Sequence, residues 1–276
     1  MQRATSSVSQ TAPRRALLSA HRGAAGQLGL RDNSWESLQA AVTLPVDYVE
    51  FDVHRTADGH YVLHHLDHVR LGRRKLYLRH LSARAVAELL GHPLVSYQEA
   101  LTLLAAHGKK AHIDLKLVSP PTLYGEPDAA FEIEAARTAL RIMADPTAFI
   151  LTSLEDRSVQ VLAAWAAAES PGTLVGLALG RTIFGLGWWG QVLLRRSELF
   201  PARRLRRCGA TLVVVQHRLA RLGVLRWAGR HSLPVLVWTV DRPRHLRRYL
   251  SDHRVWMVTS NFPDRADRSK EYSVAA

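Results

Sequence analysis

The feature that most limits the fold is a regular alternation of short apolar runs with amphipathic stretches along the C-terminal half. A helical pattern at 129–143 leads to a strand at 148–152, and another at 155–168 to a strand at 173–178. After a long insert come a strand at 211–215, a helix at 219–230, a strand at 234–239, a short helix from about 242 and a strand at 255–259. Strand and helix in that order predict parallel strands joined by helical crossovers. Strands starting near 16, 48 and 111 bring the number to eight, which is what closes a (β/α)8 TIM barrel. That α/β fold commonly takes up a chain of 276 residues as one domain. A further strand, Tyr61-Val62-Leu63, follows the turn Thr56-Ala57-Asp58-Gly59 too soon for a parallel crossover, so it reads as a β-hairpin return. The barrel is expected over 15–268. Residues 1–14, rich in Ser, Thr, Gln and Ala, read as a disordered lead-in, and 269–276 as a C-terminal tail.

Barrels of this kind do their chemistry at the C-terminal ends of the strands, and titratable residues collect there. In Val49-Glu50-Phe51-Asp52-Val53 the two acids share one face of a strand and the apolar residues the other. Two carboxylates in one small space repel, and a proton, a basic neighbour or a divalent cation removes the cost. A strand whose polar face merely meets water is the simpler reading of these five residues alone. The first strand runs into His21-Arg22-Gly23. In Ala111-His112-Ile113-Asp114-Leu115-Lys116, the residues His112, Asp114 and Lys116 share a face. The hairpin return ends at His64-His65, back at the level of the acids. Asp32-Asn33-Ser34 offers a helix cap, Arg70 to Lys75 reads as a basic loop, and helices are expected at 83–90 and 96–107.

A formal charge of +13 favours an anionic partner: phosphate, a lipid headgroup or nucleic acid. The arginines lack interleaved aromatics or a recognisable binding module, so no nucleic acid is expected. A single cysteine, Cys208, fits a reducing compartment. Ala16-Leu17-Leu18 is too short for a signal-peptide core, and no apolar run reaches the eighteen or so residues a bilayer span needs, so the expected location is cytoplasmic. The basic, Trp-containing insert at 184–207, with Trp188-Trp189 and Arg203-Arg204-Leu205-Arg206-Arg207, has two readings. One is a peripheral membrane contact, apolar rings entering the headgroup zone beside arginines. The other is a barrel loop and helix with a solvated basic side.

From about Leu17 to Ala266 the chain resembles the glycerophosphodiester phosphodiesterase family, among the phosphatidylinositol-phosphodiesterase-like TIM barrels. His21-Arg22-Gly23 stands at that family's His-Arg-Gly, Asp32-Asn33-Ser34 at its Glu-Asn-Thr, and Glu50-Phe51-Asp52-Val53 at its Glu-x-Asp-Val. Asp114-Leu115-Lys116 stands at its Glu-x-Lys, Thr152-Ser153 at its Ser-Ser-Phe, and Trp238-Thr239-Val240-Asp241 at its Trp-Thr-Val-Asn. Thr259-Ser260-Asn261-Phe262-Pro263-Asp264 closes the series at its Thr-Asp-x-Pro-Asp. The family's His-Asp after the hairpin is here His64-His65-Leu66-Asp67: counting from Gly59 selects His65, counting back from Arg70 selects His64, and His65 is taken.

The resemblance implies metal-dependent hydrolysis of a glycerophosphodiester to an alcohol and glycerol 3-phosphate. Glu50, Asp52 and Asp114 would hold a divalent cation, Ca²⁺ or Mg²⁺. Arg22 and Lys116 would grip phosphate oxygens, His21 and His65 would act as general base and acid, and Trp238 would pack on the glycerol or an acyl stem or simply fill the rim. The substrate is expected to be a small phosphodiester or a lysophospholipid. A sphingomyelinase-D-like lyase and a catalytically weak phosphate- or lipid-binding barrel are the alternatives.

Overall fold

A computed structural model describes residues 15–181, 185 and 187–266 of the chain; the expected lead-in at 1–14 and tail at 269–276 lie outside the described residues, as does part of the 184–207 insert. The strands are β1 (Leu17–Ala20), β2 (Tyr48–Arg55), β3 (Tyr61–Leu63), β4 (His68–Leu71), β5 (Arg74–Tyr77), β6 (Lys110–Leu115), β7 (Phe149–Ser153), β8 (Leu174–Leu179), β9 (Leu212–Gln216), β10 (Val235–Trp238) and β11 (Met257–Ser260). Eight of them, β1, β2 and β6 to β11, run parallel and close on themselves: β1 pairs with β11 (Leu17 opposite Met257) and with β2 (Ser19 opposite Tyr48). β3 returns antiparallel on β2, the expected hairpin. The fold is a (β/α)8 barrel.

Strand periodicity divides the molecule into two apolar layers. Inside the barrel Tyr48, Ile150, Leu212, Val214, Leu236 and Met257 form a plug. A larger core lies between strands and helices, where Phe51 and Ile113 meet residues such as Leu101 and Leu162. On β2, Val49, Phe51 and Val53 face that outer core, so Glu50 and Asp52 share the inward face with Tyr48. On β6, Ala111, Ile113 and Leu115 face outward and His112 and Asp114 inward. On β1, Leu18 and Ala20 face outward, leaving Ser19 inward. The polar residues therefore rise directly above the plug.

Helix boundaries follow local chemistry. Ser34 and Ser82 accept from the backbone of Ser37 and Ala85 to start helices Trp35–Thr43 and Ala83–Leu90. A full capping box between Ser96 and Glu99 starts Tyr97–Ala106. Helices Phe131–Met143 and Asp156–Glu169 fall where expected.

Two expectations are corrected. The basic loop at 70–75 lies within a hairpin of β4 and β5, because Val69 reaches a satellite core with Val62, Leu78 and Val86 while the charged residues stay outside. The arginine run hides that alternation. The helix expected at 219–230 is broken: Gly223, at φ 112°, takes a conformation a helix cannot hold, leaving His217–Leu219, a π turn at Ala220–Val224, and Leu225–Arg230. The insert carries helices Trp188–Leu199 and Ala202–Cys208. No helix of the described residues is long and apolar enough to cross a membrane.

Candidate active site

The chain leaves β1 through a left-handed turn, Arg22, Gly23 and Ala24 at φ 49°, 73° and 55°. Only glycine fits the middle position, since a Cβ there would lie 2.6 Å from Ser37 Oγ and 2.9 Å from the Ser37 carbonyl carbon. The turn aims Arg22 back over the barrel mouth. Its backbone N–H donates to Glu50 Oε2 at 2.7 Å, while its side chain reaches Asp32 Oδ2 at 2.8 Å and Asp52 Oδ2 at 3.1 Å.

Asp52 is the hub. It is almost wholly buried and opposite Asp114 in the β2–β6 register. Lys116 Nζ sits 3.3 Å from Asp52 Oδ1 and 2.5 Å from Asp114 Oδ2. Asn33 brackets Asp52, donating from Nδ2 to Oδ2 at 3.0 Å and accepting the Asp52 N–H at 3.2 Å. Burial alone would raise the Asp52 carboxyl, but the His65 hydrogen bond and the charges of Lys116 and Arg22 hold it far below the usual carboxylate range. Glu50 goes the other way. Burial, then repulsion from Asp52 and Asp114, push its carboxyl well above its ordinary value. Carboxylate oxygens of Glu50, Asp52 and Asp114 lie within 4.8 Å of one another. Such hard-oxygen donors suit Ca²⁺ or Mg²⁺, whose bonds of roughly 2.0–2.6 Å allow ligand oxygens about that far apart.

Two imidazoles flank these acids. His21, one residue past β1, has Nδ1 2.7 Å from Asn261 Oδ1 and Nε2 3.8 Å from Glu50 Oε2. Asn261 donates its own amide to Asp241 Oδ2 at 2.9 Å, so its oxygen faces His21 and accepts the Nδ1 proton. Nε2 is left as a base, and burial with the neighbouring Arg22 charge lowers the His21 pKa from 6.5. On the other side His65 Nδ1 lies 3.2 Å from Asp52 Oδ2, with Arg22 3.0 Å from Nε2. His64 turns away, its Nδ1 2.7 Å from the Leu66 carbonyl. Asp67, displaced from the position next to His65, bonds His68 instead at 2.6 Å.

The structure thus brings together His21, Arg22, Glu50, Asp52, His65, Asp114 and Lys116. Trp238 stands apart at the end of β10, partly buried against the barrel plug, and its indole N–H has no partner among the described residues.

Sequence reasoning passed over four positioning residues. Asn33 and Asn261 lie inside quoted motifs, Asn33 within the expected helix cap, without a role at the site. Asp241, quoted only within Trp238-Thr239-Val240-Asp241, fixes Asn261 through both its backbone and its amide. His112, buried beneath the carboxylates, bonds Thr152, which donates to Asp114 Oδ1 at 3.0 Å. Its place on the Asp114 face was legible; its partner two strands from Glu50 was not.

A model of the glycerophosphoryl diester phosphodiesterase family matches residues 21–265. No curated protein sequence matches significantly. Among solved structures, a glycerophosphodiester phosphodiesterase from Parabacteroides distasonis is similar at TM-score 0.71 and 18% identity, over 95% of this chain and 99% of that one. An Oleispira antarctica phosphodiesterase in complex with the product sn-glycerol-3-phosphate gives TM-score 0.64 and 17% identity over 95% and 98%. A glycerophosphodiester phosphodiesterase from Thermotoga maritima gives 0.62 and 17% over 94% and 99%. At these identities the structures establish the shared fold.

Proposed function

The chain belongs to the glycerophosphoryl diester phosphodiesterase family and is a phosphoric diester hydrolase, and from that premise we propose that it cleaves glycerophosphodiesters to an alcohol and glycerol 3-phosphate by metal-dependent, two-histidine acid–base catalysis. The observation that carries this reading is the convergence of three carboxylates between two imidazoles at one rim of the barrel.

Glu50, Asp52 and Asp114 are the residues that would hold a divalent cation. Bound there, Ca²⁺ or Mg²⁺ supplies Lewis-acid polarisation of a phosphoryl oxygen. Arg22 and Lys116, held beside the acids, are placed to turn their N–H groups to the remaining oxygens, planar and bidentate for the guanidinium, a point charge for the ammonium. His21, with its Nδ1 proton committed to Asn261, accepts a proton at Nε2 from the attacking hydroxyl. That hydroxyl is the neighbouring glycerol OH, whose attack expels the alcohol and leaves a cyclic phosphate. Once Arg22 has turned from His65 Nε2 to the phosphate, that nitrogen takes up a proton from solvent, the imidazolium being held by Asp52, and passes it to the departing alcohol. In the second step the now neutral His65 takes the proton of the water that opens the cyclic phosphate, and His21 returns its own to the glycerol oxygen. Trp238, partly buried at the end of β10, is the residue proposed to pack on glycerol or an acyl stem.

The exposed Trp188 and Trp189 support peripheral membrane contact through 184–207, and with it lysophospholipids as substrates beside free glycerophosphodiesters. The single buried cysteine fits a cytoplasmic, membrane-peripheral location.

The test is to incubate purified protein with glycerophosphocholine and with lysophosphatidylcholine, with and without EDTA, and to repeat it with His21→Ala. Turnover is expected to need metal and to fall at least about 10²-fold in the variant; activity retained in either arm sinks the mechanism.

A further inference from the structure

The rim formed by the ends of β8, β9 and β10 carries features that the hydrolytic chemistry leaves unused. A cavity of about 680 Å³ opens between the loops after β9 and β10, lined by His217, Arg218, Arg221, Arg242, His245 and Arg248 among others. The acid in its lining, Asp241, is already engaged with the backbone and amide of Asn261. Among the described residues no carboxylate pairs with the guanidinium of Arg218, Arg221, Arg242 or Arg248. The field inside is strong enough that burial, then Arg244, Arg242, Arg221 and Arg248, all act to discharge His245. Four unpaired guanidiniums round one concavity repel one another, and an anion seated among them would offset that repulsion.

The surroundings of the cavity decide which anion. Helix Trp188–Leu199 lies against the segment Ala220–Val224, which contributes both Arg221 and Leu222 to the cavity wall. The most exposed apolar side chains of the helix are Trp188 at 65%, Trp189 at 70% and Leu193 at 64% of full exposure, and Leu222 of the segment is at 64%. The two indoles pack edge-on, centroids 4.4 Å apart, and so present one rigid apolar surface. An exposed apolar ridge on a helix packed against the segment that walls a basic pocket matches the boundary of a bilayer, where acyl chains meet anionic phosphates. A nucleic-acid groove would instead set its aromatics among the arginines, as stacking platforms for successive bases.

We propose that this cavity binds the phosphate of an anionic phospholipid at a bilayer surface, with Trp188, Trp189, Leu193 and Leu222 entering the headgroup boundary beside it. The ridge deepens the membrane reading given above and rests on it; the arginine cavity is the new element. Because the loops after β8, β9 and β10 lie at the same barrel end as the carboxylates on β2 and β6, docking in this way turns the catalytic mouth toward the membrane, where lysophospholipids reside.

The experiment is co-sedimentation of the full chain with vesicles of phosphatidylcholine alone or mixed with phosphatidylglycerol, using wild type, R221E/R248E and W188S/W189S. Turnover of soluble glycerophosphocholine is measured in parallel, so that failure of the catalytic reading shows separately. Wild type is expected to bind mixed vesicles and not the zwitterionic ones, and R221E/R248E to lose more than about tenfold of that binding while keeping soluble turnover. W188S/W189S reports on the ridge: if it loses binding and R221E/R248E does not, the membrane contact stands and the cavity assignment is overturned. Equal binding to both vesicle types, or tighter binding to a DNA duplex at the same salt, also overturns it.

Discussion

His65 donates from Nδ1 to Asp52 Oδ2 at 3.2 Å and so borrows its orienting carboxylate from β2, two residues beyond Glu50, rather than from its own loop. The loop acid, Asp67, points to His68. Arg22 has only donors, so its contact at 3.0 Å makes His65 Nε2 an acceptor in the resting site. One tautomer is therefore fixed from both ends.

The first prediction separates the adjacent histidines. His65→Gln removes the imidazole beside Asp52 and Arg22, and kcat is expected to fall about 10²–10⁴-fold on glycerophosphocholine. His64→Ala removes a ring that, among the described residues, bonds the nearby Leu66 carbonyl and no group of the site, and kcat should stay within a few-fold. The reverse pattern would hand the acid role to His64.

A second prediction concerns Glu50. Its carboxyl is raised because burial and two neighbouring acids oppose its charge, so in a chelator the Glu50→Gln protein should be at least as heat-stable as wild type. Calcium or magnesium at about a hundred times its dissociation constant should stabilise wild type by about 2.7 kcal/mol, a rise in Tm of several degrees. Glu50→Gln should lose most of that rise. Thermal melts with and without metal check both halves; a variant that melts lower in EDTA and keeps the full metal shift removes the three-carboxylate site.

Much of this was legible in the sequence because period-two alternation is strict inside a barrel. Once Phe51 and Ile113 are outward, Glu50, Asp52 and Asp114 must be inward, and the fold brings β2 and β6 side by side. What could not be read is which side chain closes on which across the mouth. Asn261 and His21 are 240 residues apart, and nothing local says that Asp241 turns the amide so that its oxygen faces the imidazole. The β4–β5 hairpin is hidden for another reason: its arginines outnumber Val69, the one apolar side chain that it buries.

The third prediction tests that long-range arrangement. Asp241→Ala frees the Asn261 amide to rotate and present N–H to His21, which would drive the imidazole into the wrong tautomer. Turnover of soluble substrate should drop about 10–100-fold in kcat with KM little changed. Asn261→Asp restores an acceptor at His21 whichever way it turns, so the double variant should recover part of the loss and move the acid limb of the pH profile upward. No recovery would mean that Asp241 acts only by holding the loop.

The last prediction is a stability profile. His112 lies inside the barrel, 4% exposed, with Ser19 Oγ 3.3 Å from Nδ1 and Thr152 Oγ1 3.3 Å from Nε2. Thr152 spends its hydroxyl proton on Asp114, so Nε2–H donates to Thr152 and Nδ1 accepts from Ser19; the ring is neutral with both nitrogens used. Burial holds its pKa at about 4 against 6.5 when unfolded. Between those values the unfolded chain binds a proton that the native one refuses, so stability rises with pH. The contribution is fully present above pH 6.5 and is lost as pH falls toward 4, a difference of about 3 kcal/mol. His54, also held at about 4 by burial, adds a like amount, and His21 acts in the same sense. Urea unfolding in EDTA from pH 7.5 to 4 should therefore show a steep acid loss in wild type. His112→Gln keeps a donor for Thr152 and removes the proton, so its absolute stability is expected to fall at pH 7.5 while its slope against pH becomes shallower by about one proton. An unchanged slope would show that the barrel interior admits a charged ring at this level, and with it that the site above is far wetter than its burial implies.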